Sequence, residues 1–143
     1  MNMFIASFMF IGLFAVSIAH LLWAFGRTWP IRSEKLLAQT VVGTAGVERM
    51  PPRLASLAVG VAALAAGILA LALADHDSGG YWLNIAGCGL ALLFLARGIA
   101  GYTPWWAAQT PEPNFRLNDR RVYSPLCLFL GLGFVALVYF RLT

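Results

Sequence analysis

Four long apolar runs constrain the fold of this chain more than any other feature. Each is close to the roughly 20 residues that an α-helix needs to cross a bilayer, and they cover about residues 3–25, 54–74, 81–101 and 123–140. Of the 143 residues, 60% are apolar and 11% charged, whereas a soluble domain carries about 25% charged residues. The runs lack the period of two that is typical of barrel strands. The sequence therefore predicts an all-α integral membrane four-helix bundle, with the whole chain as a single domain.

Lysine and arginine are concentrated in two of the connecting loops, residues 26–53 and 102–122, while the short loop Asp75–Gly80 has neither. With four spans, both basic loops lie on one side of the membrane. The positive-inside rule then predicts that they face the cytoplasm and that both termini lie on the non-cytoplasmic side. We attribute the net charge of +4 to topology and to contact with anionic lipids, and not to nucleic-acid binding. The first run has no basic segment before it and no typical cleavage site after it, so we expect a permanent span.

Small residues recur along one face of the second run, at spacings that alternate between four and three. They are Ser56, Gly60, Ala63, Gly67, Ala70 and Ala74. Membrane helices associate through close van der Waals contact, which small side chains permit. This small-residue face predicts that the second span is the central packing helix of a left-handed bundle, with crossing angles near ~20°.

The two basic loops have different patterns. In the first, Ser33 is a suitable N-cap for a short, weakly amphipathic helix Glu34–Val42, which we expect on the membrane surface. In the second, three prolines predict an irregular segment over Thr103–Phe115.

Ser124 and Pro125 form the pattern of an N-cap followed by proline at the first helical position. This predicts that the fourth span begins there with free backbone N–H groups. Arg120 and Arg121 stand just before it, and a helix amino end beside two arginines is a physical anion site. The alternative is that the arginines only anchor the chain to lipid phosphates.

Two basic side chains, His20 and Arg97, lie inside the apolar runs. Ionisable groups are costly in a membrane and are functional candidates by default, although His20 could simply bond to another helix and Arg97 could extend to the interface. Both fall in the cytoplasmic half of the membrane, and Asp119 is the nearest acid, a candidate partner for Arg97, Arg120 or Arg121. We therefore predict one inner-leaflet pocket for an amphiphile with an anionic or hydrogen-bond-accepting head, with these ligand-binding candidates: His20, Trp23, Arg97, Asp119, Arg120, Arg121, Tyr123 and Ser124.

Several chemistries have no support in the sequence. No carboxylate lies inside a span, and His76 is on the opposite side of the membrane from His20, which excludes paired haem ligation within one chain. Cys88 and Cys127 lie at different depths, so we interpret them as packing residues. No short hydrolase, metalloprotease or phosphate-binding signature is present. We assign no catalytic or metal-binding residue, and the sequence identifies no cofactor.

Two segments carry a family resemblance, HLLWAFGRTWP at His20–Pro30 and LNDRRVYSPLCLFLG at Leu117–Gly131. They resemble an uncharacterised family of small bacterial four-span membrane proteins, catalogued as a domain of unknown function. The resemblance extends over almost the whole chain and implies a four-helix membrane fold, but no activity. We accordingly expect the protein in the bacterial cytoplasmic (inner) membrane.

Three classes of function remain. The first is binding of a lipid or amphiphilic small molecule, or service as an accessory subunit, with membrane lipids and a homo-oligomer or larger membrane complex as partners. The second is an oligomeric transporter or channel, although few polar residues line the outer half of the spans. The third is an enzyme that uses His20 on a lipid-like substrate, for which only Asp119 could complete an acid–base pair.

Overall fold

The computed structural model describes residues 1–77 and 79–143, and all regular structure within these residues is helical. Four helical segments are long and apolar enough to cross a membrane. They are α1 (Asn2–Ala24), α3 (Arg53–Ala74), α4 (Gly80–Ala100) and the segment Pro113–Leu142, which ends in α7 (Ser124–Leu142). The predicted all-α, four-span fold is confirmed, and the first three spans begin and end within one residue of their predicted bounds.

The closest packing lies between α1 and α3. All six members of the small-residue face are buried, and two of them meet α1 directly. A Cβ added at Gly60 would stand 3.3 Å from the backbone nitrogen of Leu21, and one at Gly67 would stand 3.0 Å from Cδ2 of Phe10. The Ser17 hydroxyl donates a hydrogen bond to the Gly60 carbonyl at 2.7 Å. The prediction that the second span packs through small residues is confirmed, and its main partner is α1.

Helices α4 and α7 form the second closely packed pair. Their backbones approach each other at two glycines. A Cβ at Gly98 would stand 3.0 Å from the backbone nitrogen of Leu128, and a Cβ at Gly131 would stand 2.9 Å from that of Leu95. A shared core joins this pair to α1 and α3, and its largest fully buried apolar members are Met9, Leu13, Leu73, Leu130, Phe134 and Leu137.

Both termini lie beside the loop that follows α3. The Asn2 amide nitrogen lies 3.0 Å from Nε2 of His76. At the other end of the chain, Arg141 donates to the backbone carbonyls of Ala72 and Asp75, the latter at 2.6 Å. These bonds satisfy carbonyls at the carboxyl end of α3 that have no partner within the helix. The two basic loops therefore share the opposite end of the bundle.

The short helix of the first loop is α2 (Glu34–Val41), as predicted. The Ser33 hydroxyl accepts a hydrogen bond from the Leu36 N–H at 3.4 Å, which confirms its assignment as the N-cap. Leu37 and Ala38 are buried, and the helix packs against the second basic loop.

The second basic loop is helical, so the prediction of an irregular chain was wrong. It contains α5 (Pro104–Gln109) and α6 (Pro113–Asn118). Thr103 caps α5 by accepting a hydrogen bond from the Trp106 N–H at 3.3 Å. Pro104 and Pro113 each occupy the first turn of a helix, where a missing N–H removes no helical hydrogen bond. Two of the three prolines therefore lie where helices begin.

The prediction that the fourth span begins at an N-cap, Ser124, was also wrong. A π-helical turn, Asp119–Tyr123, joins α6 to α7, and the Ser124 N–H donates to the Asp119 carbonyl five residues earlier. In a regular α-helix the Pro125 ring would clash with the carbonyl of Arg121. Arg121 lies inside the wider π-helical turn, which accommodates the proline within a continuous helix. The amide groups at this point are within a continuous helix, so the predicted anion site at a free helix end does not exist.

Candidate functional site

Asp119 is the centre of a buried polar cluster at the basic-loop end of α4 and α7. Its carboxylate is fully buried. Oδ1 accepts hydrogen bonds from Nη2 of Arg97 at 2.7 Å and from the Ser124 hydroxyl at 3.1 Å, and Oδ2 accepts one from Nε1 of Trp106 at 2.9 Å. The Arg97 guanidinium also lies 4.5 Å from the centre of the Trp106 ring. We call Arg97, Trp106, Asp119 and Ser124 the Asp119 cluster. Of the three arginines predicted as candidate partners of Asp119, Arg97 is the one that pairs with it.

Local sequence explains how these four side chains meet. Five residues correspond to well over one turn of an α-helix but to about one π-helical turn, so the π turn places Asp119 and Ser124 on the same face. Gly101, at the end of α4, leaves the space they need, since a Cβ there would overlap the Ser124 hydroxyl and stand 3.0 Å from Oδ2 of Asp119. Helix α5 supplies Trp106. Both carboxylate oxygens of Asp119, the Ser124 hydroxyl and the Trp106 indole N–H have partners within the cluster, which joins α4, α5 and α7.

A separate cavity of about 120 Å³ lies at the basic-loop end of α1 and α3, and we call it the His20 cavity. It is bounded by both helices, by the end of α2 and by the segment that leads into α3. Its lining residues are His20, Trp23, Val41, Val42, Met50, Pro51, Ala55, Ser56 and Val59. Only His20, Ser56 and the indole nitrogen of Trp23 bring polar side-chain atoms, and Nε1 of Trp23 already donates to the Trp29 carbonyl at 2.7 Å.

The hydrogen bonds of His20 fix the chemistry of its ring. Nδ1 lies 2.9 Å from the Val16 carbonyl, and a carbonyl can only accept, so Nδ1 carries the proton. In the neutral ring, Nε2 is then a hydrogen-bond acceptor. The ring also lies against Trp23, with centres 4.6 Å apart. The bond to Val16 thus fixes both the orientation of the imidazole and the nitrogen that can meet a ligand.

Ser56 is the second polar side chain of the His20 cavity. It is 5% exposed, and its hydroxyl makes no hydrogen bond to any residue in the described parts of the chain. One turn further along α3, the Gly60 carbonyl is bonded to Ser17 of α1, which holds the two helices together below the cavity. The cavity therefore presents one acceptor nitrogen and one unpartnered hydroxyl in an apolar lining.

The structure divides the predicted site residues between these two places. Arg97, Asp119 and Ser124 meet in the Asp119 cluster, and His20 and Trp23 line the His20 cavity. The prediction of one shared pocket was wrong, because α1 pairs with α3 while α4 pairs with α7. The other predicted residues lie outside both. The side chains of Arg120 and Arg121 are exposed, and the Tyr123 hydroxyl donates to the Thr40 carbonyl at 3.1 Å.

Some of the residues that form these places were not predicted as site residues. Trp106 was not among the predicted ligand-binding residues, and Ser56 was interpreted as a member of the small-residue face. Val41, Val42 and Met50 reach the cavity from the first basic loop. A buried carboxylate needs several donors. The indole N–H groups of the neighbouring tryptophans are the signal in the sequence for such a donor.

The four apolar helices, the basic loops at one end and the buried ion pair define a small four-span helical membrane protein. Residues 13–134 match the model of the family described as "Protein of unknown function (DUF3995)", and the chain belongs to this family. No curated protein and no solved structure matches the chain. The family match confirms the resemblance seen in the two sequence segments.

Proposed function

We propose that this membrane protein binds a lipid or another amphiphilic small molecule in the His20 cavity. The observation that carries the proposal is an apolar cavity with a few fixed polar groups, which is the usual composition of small-molecule sites. The position of the cavity near the membrane interface supports an amphiphilic ligand. Tryptophan, here Trp23, is enriched at membrane interfaces, and the basic loop begins directly after α1. A polar head would contact His20 and Ser56, and an apolar tail would lie along the lipid-facing surface of α3.

We assign no catalytic role to His20. Asp119 is the carboxylate that an acid–base pair would require, and the Asp119 cluster uses both of its oxygens. We propose that Arg97, Asp119 and Ser124 have a structural role and hold α4 and α7 together. A binding protein needs only the cavity and its two polar groups.

A substitution that fills the cavity should abolish binding. Ala55 lines the His20 cavity. When the proteins are extracted in mild detergent, we expect the wild type to retain a bound molecule and the Ala55→Phe protein to contain none. Native mass spectrometry measures the occupancy. The control is Ala58→Phe, at an exposed position on the same helix that is not among the lining residues, and it should bind like the wild type.

Two results would contradict this proposal. One is equal occupancy in the Ala55→Phe and Ala58→Phe proteins, which would mean that any bound molecule lies elsewhere. The other is a wild-type protein that neither retains a small molecule nor takes up an added alkyl amphiphile.

We further propose that the protein lies in the bacterial cytoplasmic membrane with its basic loops in the cytoplasm and both termini outside, following the distribution of lysine and arginine. A reporter that fluoresces only in the cytoplasm should stay dark when it is fused after Thr143. The same reporter inserted in the exposed segment Thr44–Gly46 should fluoresce. A fluorescent fusion at Thr143 would show that the termini lie in the cytoplasm and that the proposed orientation is wrong.

A further inference from the structure

We infer that the ligand of the His20 cavity has an uncharged head that carries a hydroxyl group, with a bulk no larger than about a six-membered ring. The inference rests on the proposed function, because it names the chemical class of the molecule bound at the same site. Three properties of the cavity support it: its hydrogen-bonding groups, its charge and its size.

The hydrogen-bonding groups require both a donor and an acceptor. With Nδ1 bonded to the Val16 carbonyl, Nε2 of neutral His20 needs a donor from the ligand. The Ser56 hydroxyl can donate or accept, and it has no partner within the described residues. A single hydroxyl group can donate to Nε2 and accept from Ser56 at the same time. An ether or an ester can only accept, and it would leave Nε2 unpaired in an apolar site, which is costly.

The charge of the cavity argues against an anionic head. None of the lining residues is lysine or arginine. Arg97 is committed to Asp119 at 2.7 Å. The arginines next to the lining residues in sequence, Arg49 and Arg53, have exposed side chains, as do Arg120 and Arg121. An anion taken out of water without a paired cation pays a large desolvation cost. The structure thus favours a neutral head over the anionic head that the arginines had suggested.

The size of the cavity limits the head and not the tail. At about 120 Å³ it is somewhat smaller than the engineered cavity of roughly 150 Å³ that accepts benzene in another protein. Val59, one of its lining residues, is 46% exposed on α3. The cavity therefore opens towards the surrounding lipid, and a tail can leave it on that side. A phenol, a cyclic alcohol or a short polyol on an alkyl chain meets all three requirements.

Three probes with the same octyl chain test the inference on the full-length protein in mild detergent. The pH is about 8, where a phenol keeps its proton and a benzoic acid is ionised. The probes are para-octylphenol, which has a hydroxyl, para-octylanisole, in which a methyl ether replaces it, and para-octylbenzoate, which is anionic. Titration followed by native mass spectrometry gives each affinity. We expect the phenol to bind at least ten times more tightly than either of the others.

Two variants test whether Ser56 and His20 recognise the hydroxyl group of the phenol. Ser56→Ala and His20→Phe should each weaken binding of the phenol by about two- to twelvefold, the usual range for one hydrogen bond. His20→Phe should leave the weak binding of the anisole unchanged, because an ether has no proton to donate to Nε2. Ser56→Ala should weaken both probes, because the oxygen of either one can accept from the Ser56 hydroxyl. The control is Ser7→Ala, a serine of α1 whose hydroxyl bonds to the Met3 carbonyl, and it should bind all three probes like the wild type. A size-exclusion profile identical to that of the wild type confirms that each variant is folded.

The outcomes separate this inference from the proposed function. If the anisole binds as tightly as the phenol, or the benzoate binds most tightly, and Ala55→Phe still abolishes binding, the hydroxyl-bearing neutral head is wrong and the binding site stands. If His20→Phe leaves the preference for the phenol over the anisole intact, or Ser56→Ala leaves the affinity for the phenol unchanged, the recognition assigned to that residue is wrong. If no probe binds, or Ala55→Phe has no effect, both conclusions are lost.

Discussion

Asp119→Ala is expected to lower the free energy of unfolding by about 3–5 kcal/mol, the cost of breaking a buried ion pair by removing one partner. The change leaves the Arg97 guanidinium without its carboxylate, and it leaves the Trp106 indole N–H without its acceptor. The carboxylate that both groups lose is fully buried, so water replaces these bonds poorly. Thermal unfolding in mild detergent should show a fall of roughly 10 °C for a chain of this length.

The exposed ion pair Lys35–Glu48 provides the matched control. Its atoms are 2.9 Å apart, but the two side chains are 58% and 68% exposed, so Glu48→Ala should have little effect on stability. A double variant, Arg97→Met with Asp119→Leu, should recover part of the stability lost in Asp119→Ala, because it leaves no unpaired charge. If Asp119→Ala unfolds at the same temperature as Glu48→Ala, the Asp119 cluster does not hold α4, α5 and α7 together.

Gly131→Leu is expected to have the second largest effect, a destabilisation of about 1–3 kcal/mol or more. At this position α4 and α7 touch through their backbones. A Cβ at Gly131 would stand 2.9 Å from the Leu95 nitrogen and 2.6 Å from its Cγ. The first contact is with main chain, which cannot move aside as the end of a side chain can. The helices must separate, and the thermal unfolding midpoint in detergent should fall by several degrees.

Gly89→Leu is the control for Gly131→Leu, because Gly89 is also a glycine within an apolar span. No atom lies within 4 Å of a Cβ placed at Gly89, and a side chain there would face lipid. Replacing glycine also favours the helix by roughly 0.5–1 kcal/mol, so this variant should be as stable as the wild type or more stable. Equal losses in both variants would show that α4 and α7 do not meet at Gly131.

The spans and the packing face of α3 could be predicted because each depends on a local property of the sequence. Twenty consecutive apolar residues define a span wherever it packs, and small residues at spacings of four and three define a contact face before its partner is known. The cap at Ser33 is likewise a local signal. The family resemblance also depended on contiguous segments.

The pairing of the helices could not be predicted in this way. Hydropathy and the positive-inside rule place His20 and Arg97 at similar depth, but depth does not say which helices are neighbours. The π turn escaped prediction because Ser124 and Pro125 have the pattern of a helix start, and only the bonds of Asp119 reveal a continuous helix. The His20 cavity depends on α2 and on the segment before α3, whose positions follow from tertiary contacts.

The hydrogen bond from Tyr123 to the Thr40 carbonyl has a consequence for the whole bundle. Thr40 belongs to α2, and the next two residues, Val41 and Val42, form one wall of the His20 cavity. That wall is attached to the π turn of the second helix pair, while the opposite wall belongs to α1 and α3. A molecule in the cavity would thus contact α1 and α3 directly, and it would be linked to the second helix pair through α2, which Tyr123 holds. Its binding would oppose separation of the two helix pairs, and the bundle would be more resistant to unfolding when the cavity is filled.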